Sequence, residues 1–211
     1  MIDFLIYSGY LILLLNLILY LISFFRKGKA NGFFMVYLVF LFVMQFSMEI
    51  MYHLKINNLF AVNIFFIGQM ILLGLFYNSL FSIKSQKIFV KSSLLISLII
   101  LVFQFALDSS QFLKFNLFEI TLTSLLSVVF AFIHIYNMLT ESKKFYYVSF
   151  GVVFYLLAST VLFLIGNLSL GLSNDLKYLI WTLNAFFVVV YQFFILYEWK
   201  VSFSKNTKLE I

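Results

Sequence analysis

Residues 33–54 read FFMVYLVFLFVMQFSMEIMYHL, and the fold turns on how this run is read. A bilayer crossing takes roughly 20 predominantly apolar residues in a helix, and this run reaches Glu49 before its first charge. A helix satisfies every backbone N–H and C=O within itself, which is the condition for entering lipid. Gln45, Glu49 and His53 recur at every fourth position, so they line one face of that helix. A polar stripe turned to lipid is costly. It is expected to face a polar pocket near the outer membrane surface.

Six further runs of the same kind stand at about 4–25, 58–82, 89–107, 116–139, 145–168 and 177–199. The expectation is an all-α integral membrane bundle of seven transmembrane helices, one domain over 1–211. The connections RKGKAN, LKIN, IKSQKIF, DSSQFLKF, TESKK and SLGLSND leave no room for a soluble domain, and the tail KVSFSKNTKLEI is too short for an output domain. No cationic segment precedes the first run and no small-residue cleavage site follows it, so it reads as a retained helix.

Composition agrees. Of the 211 residues 64% are hydrophobic and 10% charged, whereas soluble domains use nearer half and a quarter. Cysteine is absent, which excludes disulfides, thiol catalysis and thiolate metal sites. Proline is absent too, which disfavours the broken-helix rocking of many transporters.

A net charge of +6 raises the question of nucleic acid, but the cations fall between hydrophobic runs and form no basic groove with stacking aromatics. They carry topology instead. Arg26, Lys27, Lys29, Lys84, Lys87, Lys91, Lys143, Lys144, Lys200, Lys205 and Lys208 fall on one side of the membrane, and Lys55, Lys114 and Lys177 on the other. Positive charge favours the cytoplasm, which puts the N-terminus outside and the C-terminus inside. The basic loops at Arg26, Lys27 and Lys29, at Lys84 and Lys87, and at Lys143 and Lys144 would touch anionic lipid or a cytoplasmic partner.

With that orientation, Gln45, Glu49 and His53 share the outer level with Glu119 near the start of helix 5. Asn63, Asn167, Trp181 and Asn184 join them from helices 3, 6 and 7. Ionisable groups inside a membrane mark functional sites by default, because an unpaired charge there is expensive. These eight residues are the expected ligand-binding set. An alternative is that Glu49 and His53 reach interfacial water at the helix end. A zinc site needs three or four ligands, and the second histidine, His134, lies at the opposite depth of helix 5. No metal and no cofactor is expected, and enzyme activity is not. Gln69, Asn78, Gln192 and the pair His134 and Asn137 read as interhelical hydrogen-bonding groups. Glu198, beside Lys200, reads as solvated at the headgroup level, and Trp199 as an interfacial anchor.

Aligning Asn63 with Asn184 matches NIFFIGQMILLGLF to NAFFVVVYQFFILY, which hints at a 3+1+3 repeat of helices 1–3 and 5–7. Retinal proteins need a lysine in mid-helix 7, which is missing here. SWEET-type sugar transporters share the 3+1+3 plan but use paired proline hinges. Ceramidase-type and adiponectin-receptor-type hydrolases need three histidines, and the Gly-Asp type motif of bacterial lysoplasmalogenases is not found.

The segments LKFNLFEI (113–120), FYYVSFGVVFYLLASTVLFLIGN (145–167) and WTLNAFFVVVYQFFILYEWK (181–200) resemble a group of small seven-helix proteins of Bacteroidetes often encoded beside histidine kinases and response regulators. The resemblance implies a sensory or accessory role in the bacterial inner membrane. The expectation is a receptor-like protein with an outward-facing pocket that signals in trans to a cytoplasmic histidine kinase or another signalling protein. A small-solute transporter, or a lipid-modifying enzyme using Glu49 and Glu119, is the alternative. Oligomeric state is open.

Overall fold

The computed structural model describes residues 2–27, 30–140, 143–168 and 174–204. Among them run seven helices: α1 (Ile2–Lys27), α2 (Gly32–His53), α3 (Leu59–Leu80), α4 (Lys84–Leu107), α5 (Leu117–Asn137), α6 (Tyr146–Leu168) and α7 (Asn174–Trp199). Each carries a stretch long and apolar enough to cross a membrane. No strand occurs among the described residues, so the chain is an all-α, multi-pass membrane protein.

The boundaries follow the apolar runs closely, with one informative difference. Helix α4 starts at Lys84, five residues ahead of its apolar window. Lys, Ser and Gln are serviceable helix formers, and the unpaired N–H groups of a first turn are tolerated where water reaches them. Lys84 and Lys87 therefore ride on the first turn of α4, Lys84 exposed. At the other end of the chain α7 runs into a π-helical turn, Lys200–Ser204.

By its packing the chain divides into two compact units, Met1–Asn31 with Ala131–Ile211, and Gly32–Phe130. In the first, α7 packs against both α1 and α6. The antiparallel α6·α7 seam is aromatic: Tyr155 stacks on Tyr191 with centroids 5.2 Å apart, and Phe163 meets Trp181 at 6.2 Å. Close approach is secured by Gly151, where an added Cβ would lie 2.8 Å from the Cβ of Phe194. Lipid is as apolar as a leucine side chain, so close packing and interhelical hydrogen bonds must hold such helices together. The α1·α7 seam supplies the bonds. Asn16 Nδ2 donates to the Gln192 carbonyl (2.9 Å) and its Oε1 (3.1 Å), and Tyr20 Oη to the Ile195 carbonyl (3.3 Å). The indole N–H of Trp199 donates to the Leu19 carbonyl (3.1 Å) and Ser23 Oγ (2.8 Å). That tryptophan is turned onto α1, not toward headgroups as the sequence suggested.

In the second unit α3 packs against α2 and α4. Phe34 meets Phe76 at 5.0 Å, Gln69 Nε2 donates to Tyr37 Oη at 3.1 Å, and Phe40 lies over Phe65 at 6.4 Å. These pairings set an antiparallel register between α2 and α3. A Cβ on Gly74 would press on the Leu94 side chain, which fixes α3 against α4 in the same sense. Asp108 and the 3₁₀ turn Ser109–Leu113 connect α4 to α5.

Candidate functional site

Asn116 caps α5. Its carbonyl accepts from the Ile120 N–H (3.0 Å) and its Oδ1 from the Glu119 N–H (3.2 Å), which is half of a capping box. In the full box the glutamate three residues on reaches back to the cap's own N–H. Glu119 does not. It is inaccessible, at 0% exposure, and neither carboxylate oxygen has a protein group within hydrogen-bonding distance. A buried carboxylate left in that state is expensive as an anion, so it holds a proton or takes a cationic or donor partner.

The groups gathered at the same level of the second unit share this condition. Gln104, near the end of α4, donates from Nε2 to Asn116 Oδ1 at 3.3 Å. Asn63, in the second turn of α3, stitches the incoming loop by donating from Nδ2 to the carbonyls of Gln111 (3.4 Å), Phe112 (2.8 Å) and Lys114 (3.2 Å). The α2·α3 register, continued beyond Phe40, brings Gln45 opposite the first turn of α3, the turn before Asn63. Gln45 Oε1, Asn63 Oδ1, Gln104 Oε1 and Asn116 Nδ2 are all buried without a protein partner. Buried polar atoms in native proteins are nearly always paired, and six of the eleven unpartnered buried side-chain atoms among the described residues belong to these five residues of the second unit.

Of the residues chosen from sequence, this level holds Gln45, Asn63 and Glu119. Glu49 and His53 pair with each other at the end of α2, Nε2 to Oε1 at 3.0 Å, with side chains 22% and 62% exposed. An i, i+4 pair offers two ligands at most, and no cluster of three His, Cys, Asp or Glu side chains occurs among the described residues. Asn167, Trp181 and Asn184 belong to the first unit. There Asn167 and Trp181 are exposed, while Asn184 Oδ1 is buried and unpartnered. Lys84, Lys143 and Lys144 are exposed and Lys87 half-buried. Lys29 lies outside the described residues.

Gln104 and Asn116 were not among the sequence candidates. A signal existed for each: Gln104 is the one polar residue in LIILVFQFAL (98–107), and Asn116 precedes Glu119 at capping-box spacing.

Asp108 introduces the loop outside the membrane segments, accepting from Ser110 N (3.0 Å) and Gln111 Nε2 (2.8 Å). Hydrogen bonds from Ser110 and then Gln111 hold its carboxyl below the usual carboxylate range. Lys114 Nζ donates to Ser110 Oγ at 2.8 Å. The loop that Asn63 grips is thus braced by its own side chains.

A second buried carboxylate has the opposite fate. Glu198, 2% exposed, accepts from Phe145 N (3.1 Å), Tyr147 N (2.9 Å) and Ser202 Oγ (2.6 Å). It caps α6 from α7, which overturns its reading as a solvated headgroup residue. Phe145 is held there with φ at 56°, a left-handed conformation that bulky residues rarely adopt. Its carbonyl accepts from Ser149 Oγ (3.1 Å), which lies 2.8 Å from His134 Nδ1, so this joint ties α5, α6 and α7 together within the first unit. A recess of about 450 Å³ beside it, lined by Phe193, Leu196, Tyr197, Trp199 and Lys200, is apolar apart from the lysine. Comparison of the chain with protein-family models, curated proteins and solved structures gives no match.

Proposed function

We propose that this membrane protein is a receptor-like module that binds a small ligand at the Glu119 level of its second unit and passes the binding event to a separate cytoplasmic protein. One observation carries the reading: a fully buried carboxylate with no protein partner, set beside side-chain amides that also keep free hydrogen-bonding atoms. Structural side chains of this kind are satisfied by their neighbours, as Glu198 is. Binding sites keep their polar atoms free for a guest.

Sensing is favoured over conduction by what lies beyond the site in the same unit. Gln69 is tied to Tyr37, and the next turns of α3 are filled by Met70, Leu73, Phe76 and Tyr77, all fully buried. Thr123 and Ser127 follow Glu119 on α5 but give their hydroxyl protons to carbonyls of their own helix. Among the described residues of this unit, the next buried atom without a protein partner is Asn78 Oδ1, in the last turn of α3 and beyond this apolar filling. With positive charge placed inside the cell, the site opens on the outer side and the basic loops face a cytoplasmic partner. A histidine kinase is the partner that the sequence resemblance points to. For the ligand to act as a switch it must bind one helix arrangement more tightly than another.

The test is purification of the tagged chain from its native membrane in mild detergent, with bound proteins identified by mass spectrometry, followed by the activity of any co-purified kinase with wild type and Glu119→Gln. The expected result is a bound kinase whose phosphorylation rate changes when Glu119 is neutralised. A stable preparation without a partner, which moves solute across reconstituted vesicles, would contradict it.

A further inference from the structure

We propose that the Gln45, Asn63, Gln104, Asn116 and Glu119 cluster takes a monovalent cation, either sodium or a small primary ammonium. The inference rests on the reading of this level as a ligand site and names the chemistry of the guest. The count of free atoms decides the sign of the charge. Five are acceptor oxygens, from Gln45, Asn63, Gln104 and both positions of Glu119, and one is a donor, Asn116 Nδ2.

The amide orientations of Asn63, Asn116 and Gln104 are fixed by their hydrogen-bond partners, whereas Gln45 bonds to no protein group and is free to turn its oxygen to a guest. Asn63 must present its NH2 group to three carbonyls, so its oxygen is the free atom. Asn116 must present Oδ1 to the Glu119 N–H. Gln104 then donates to the same oxygen from its nitrogen and keeps its own oxygen free. An anion or a carbonyl-rich solute would find at most two donors here, Asn116 Nδ2 and a turned Gln45. A cation finds four fixed oxygens, and Gln45 is free to supply a fifth.

The charge number follows from the carboxylate count. Glu119 is the only ionisable group of the cluster. Asp108 is exposed and bonded within its loop, Lys114 reaches Ser110, and Glu49 pairs with His53. A +1 guest leaves the buried site neutral, whereas a +2 ion leaves a net charge in a low-dielectric region. Calcium is held by several carboxylates and carbonyls, and magnesium keeps much of its water shell. Zinc and its neighbours want imidazole or thiolate, and the cluster has neither.

Carbodiimide labelling of Glu119 tests this. The purified full chain in lipid nanodiscs is treated with a hydrophobic carbodiimide in N-methylglucamine, sodium, methylammonium or magnesium chloride at equal ionic strength. Modification of Glu119 is then read by peptide mass spectrometry. Labelling in N-methylglucamine that falls at least fivefold in sodium or in methylammonium, and less than twofold in magnesium, supports the proposal; whichever monovalent arm protects identifies the source. Equal labelling in all four salts overturns the cation while leaving Glu119 a reachable acid and the ligand-site reading intact. Protection by magnesium as strong as by sodium overturns the charge argument. No labelling in any salt overturns both. Gln45→Met removes one acceptor and touches no backbone: monovalent protection should weaken three- to tenfold, and undiminished protection would overturn the acceptor set.

Discussion

Two glutamates, one in each unit, are buried almost equally, Glu119 in the first turn of α5 and Glu198 at the end of α7 against the start of α6, and they are treated in opposite ways. Glu198 receives three donors, two across the α6·α7 seam and one from Ser202 in its own next turn. Glu119, the third residue of α5, receives none, although the cap N–H it would fill in a capping box lies three residues back. Burial alone does not separate a structural carboxylate from a functional one. The difference lies in whether the protein itself completes the hydrogen bonding.

The comparison can be sharpened by removing each side of it, beginning with the largest effect. Glu198→Leu strands two buried N–H groups at the start of α6 and releases Phe145 from its left-handed backbone; a loss of about 3–5 kcal/mol is expected, since breaking a buried, bonded charge costs that much, measured by denaturant titration in mixed micelles. Gly151→Ala attacks the seam that brings Glu198 to α6. Its new methyl meets Phe194 Cβ at 2.8 Å, an atom that cannot swing aside, and overpacking of this kind costs about 1–3 kcal/mol. Asn116→Ala acts on the other unit. Loss of the cap should lower stability by about 1 kcal/mol, and carbodiimide labelling should lose its sensitivity to salt as Gln104 is set free.

The smallest effect is expected at Asp108. Its carboxyl titrates lower in the fold than in the unfolded chain, so its contribution is fully present above the ordinary carboxylate range and is lost as pH falls through the depressed folded value. Protection of the residue 108–114 amides, taken relative to intrinsic exchange at each pH, should therefore hold from neutral pH down and fall in strong acid. Equal protection across that range would remove the loop from the account.

The seven helices were legible because lipid imposes a length and an apolarity that few other contexts do. The start of α4 was not, since the lysines at 84 and 87 look like a loop whether or not the backbone there is helical. Counting residues from the helix ends put Gln45, Asn63 and Glu119 near one level; all three belong to the second unit, Asn63 and Glu119 buried and Gln45 half-buried. Gln104 and Asn116 escaped because a lone amide and a cap are each common and point nowhere on their own. Glu198 was misread for a different reason. The partners that bury it are backbone N–H groups more than 50 residues away, brought round by a left-handed Phe145, and no local pattern announces such a contact.

Unfolding free energies of Glu119→Gln and Glu198→Gln, measured side by side in the same lipid, test the central claim most directly. Glu198→Gln should lose about 1.5–3 kcal/mol, the worth of hydrogen bonds to a charged group. Glu119→Gln should stay within about 0.5 kcal/mol of wild type or exceed it, because no protein contact is lost and a costly buried acid is removed. Equal losses in the two variants, or the larger loss at Glu119, would make Glu119 a structural residue and contradict the account.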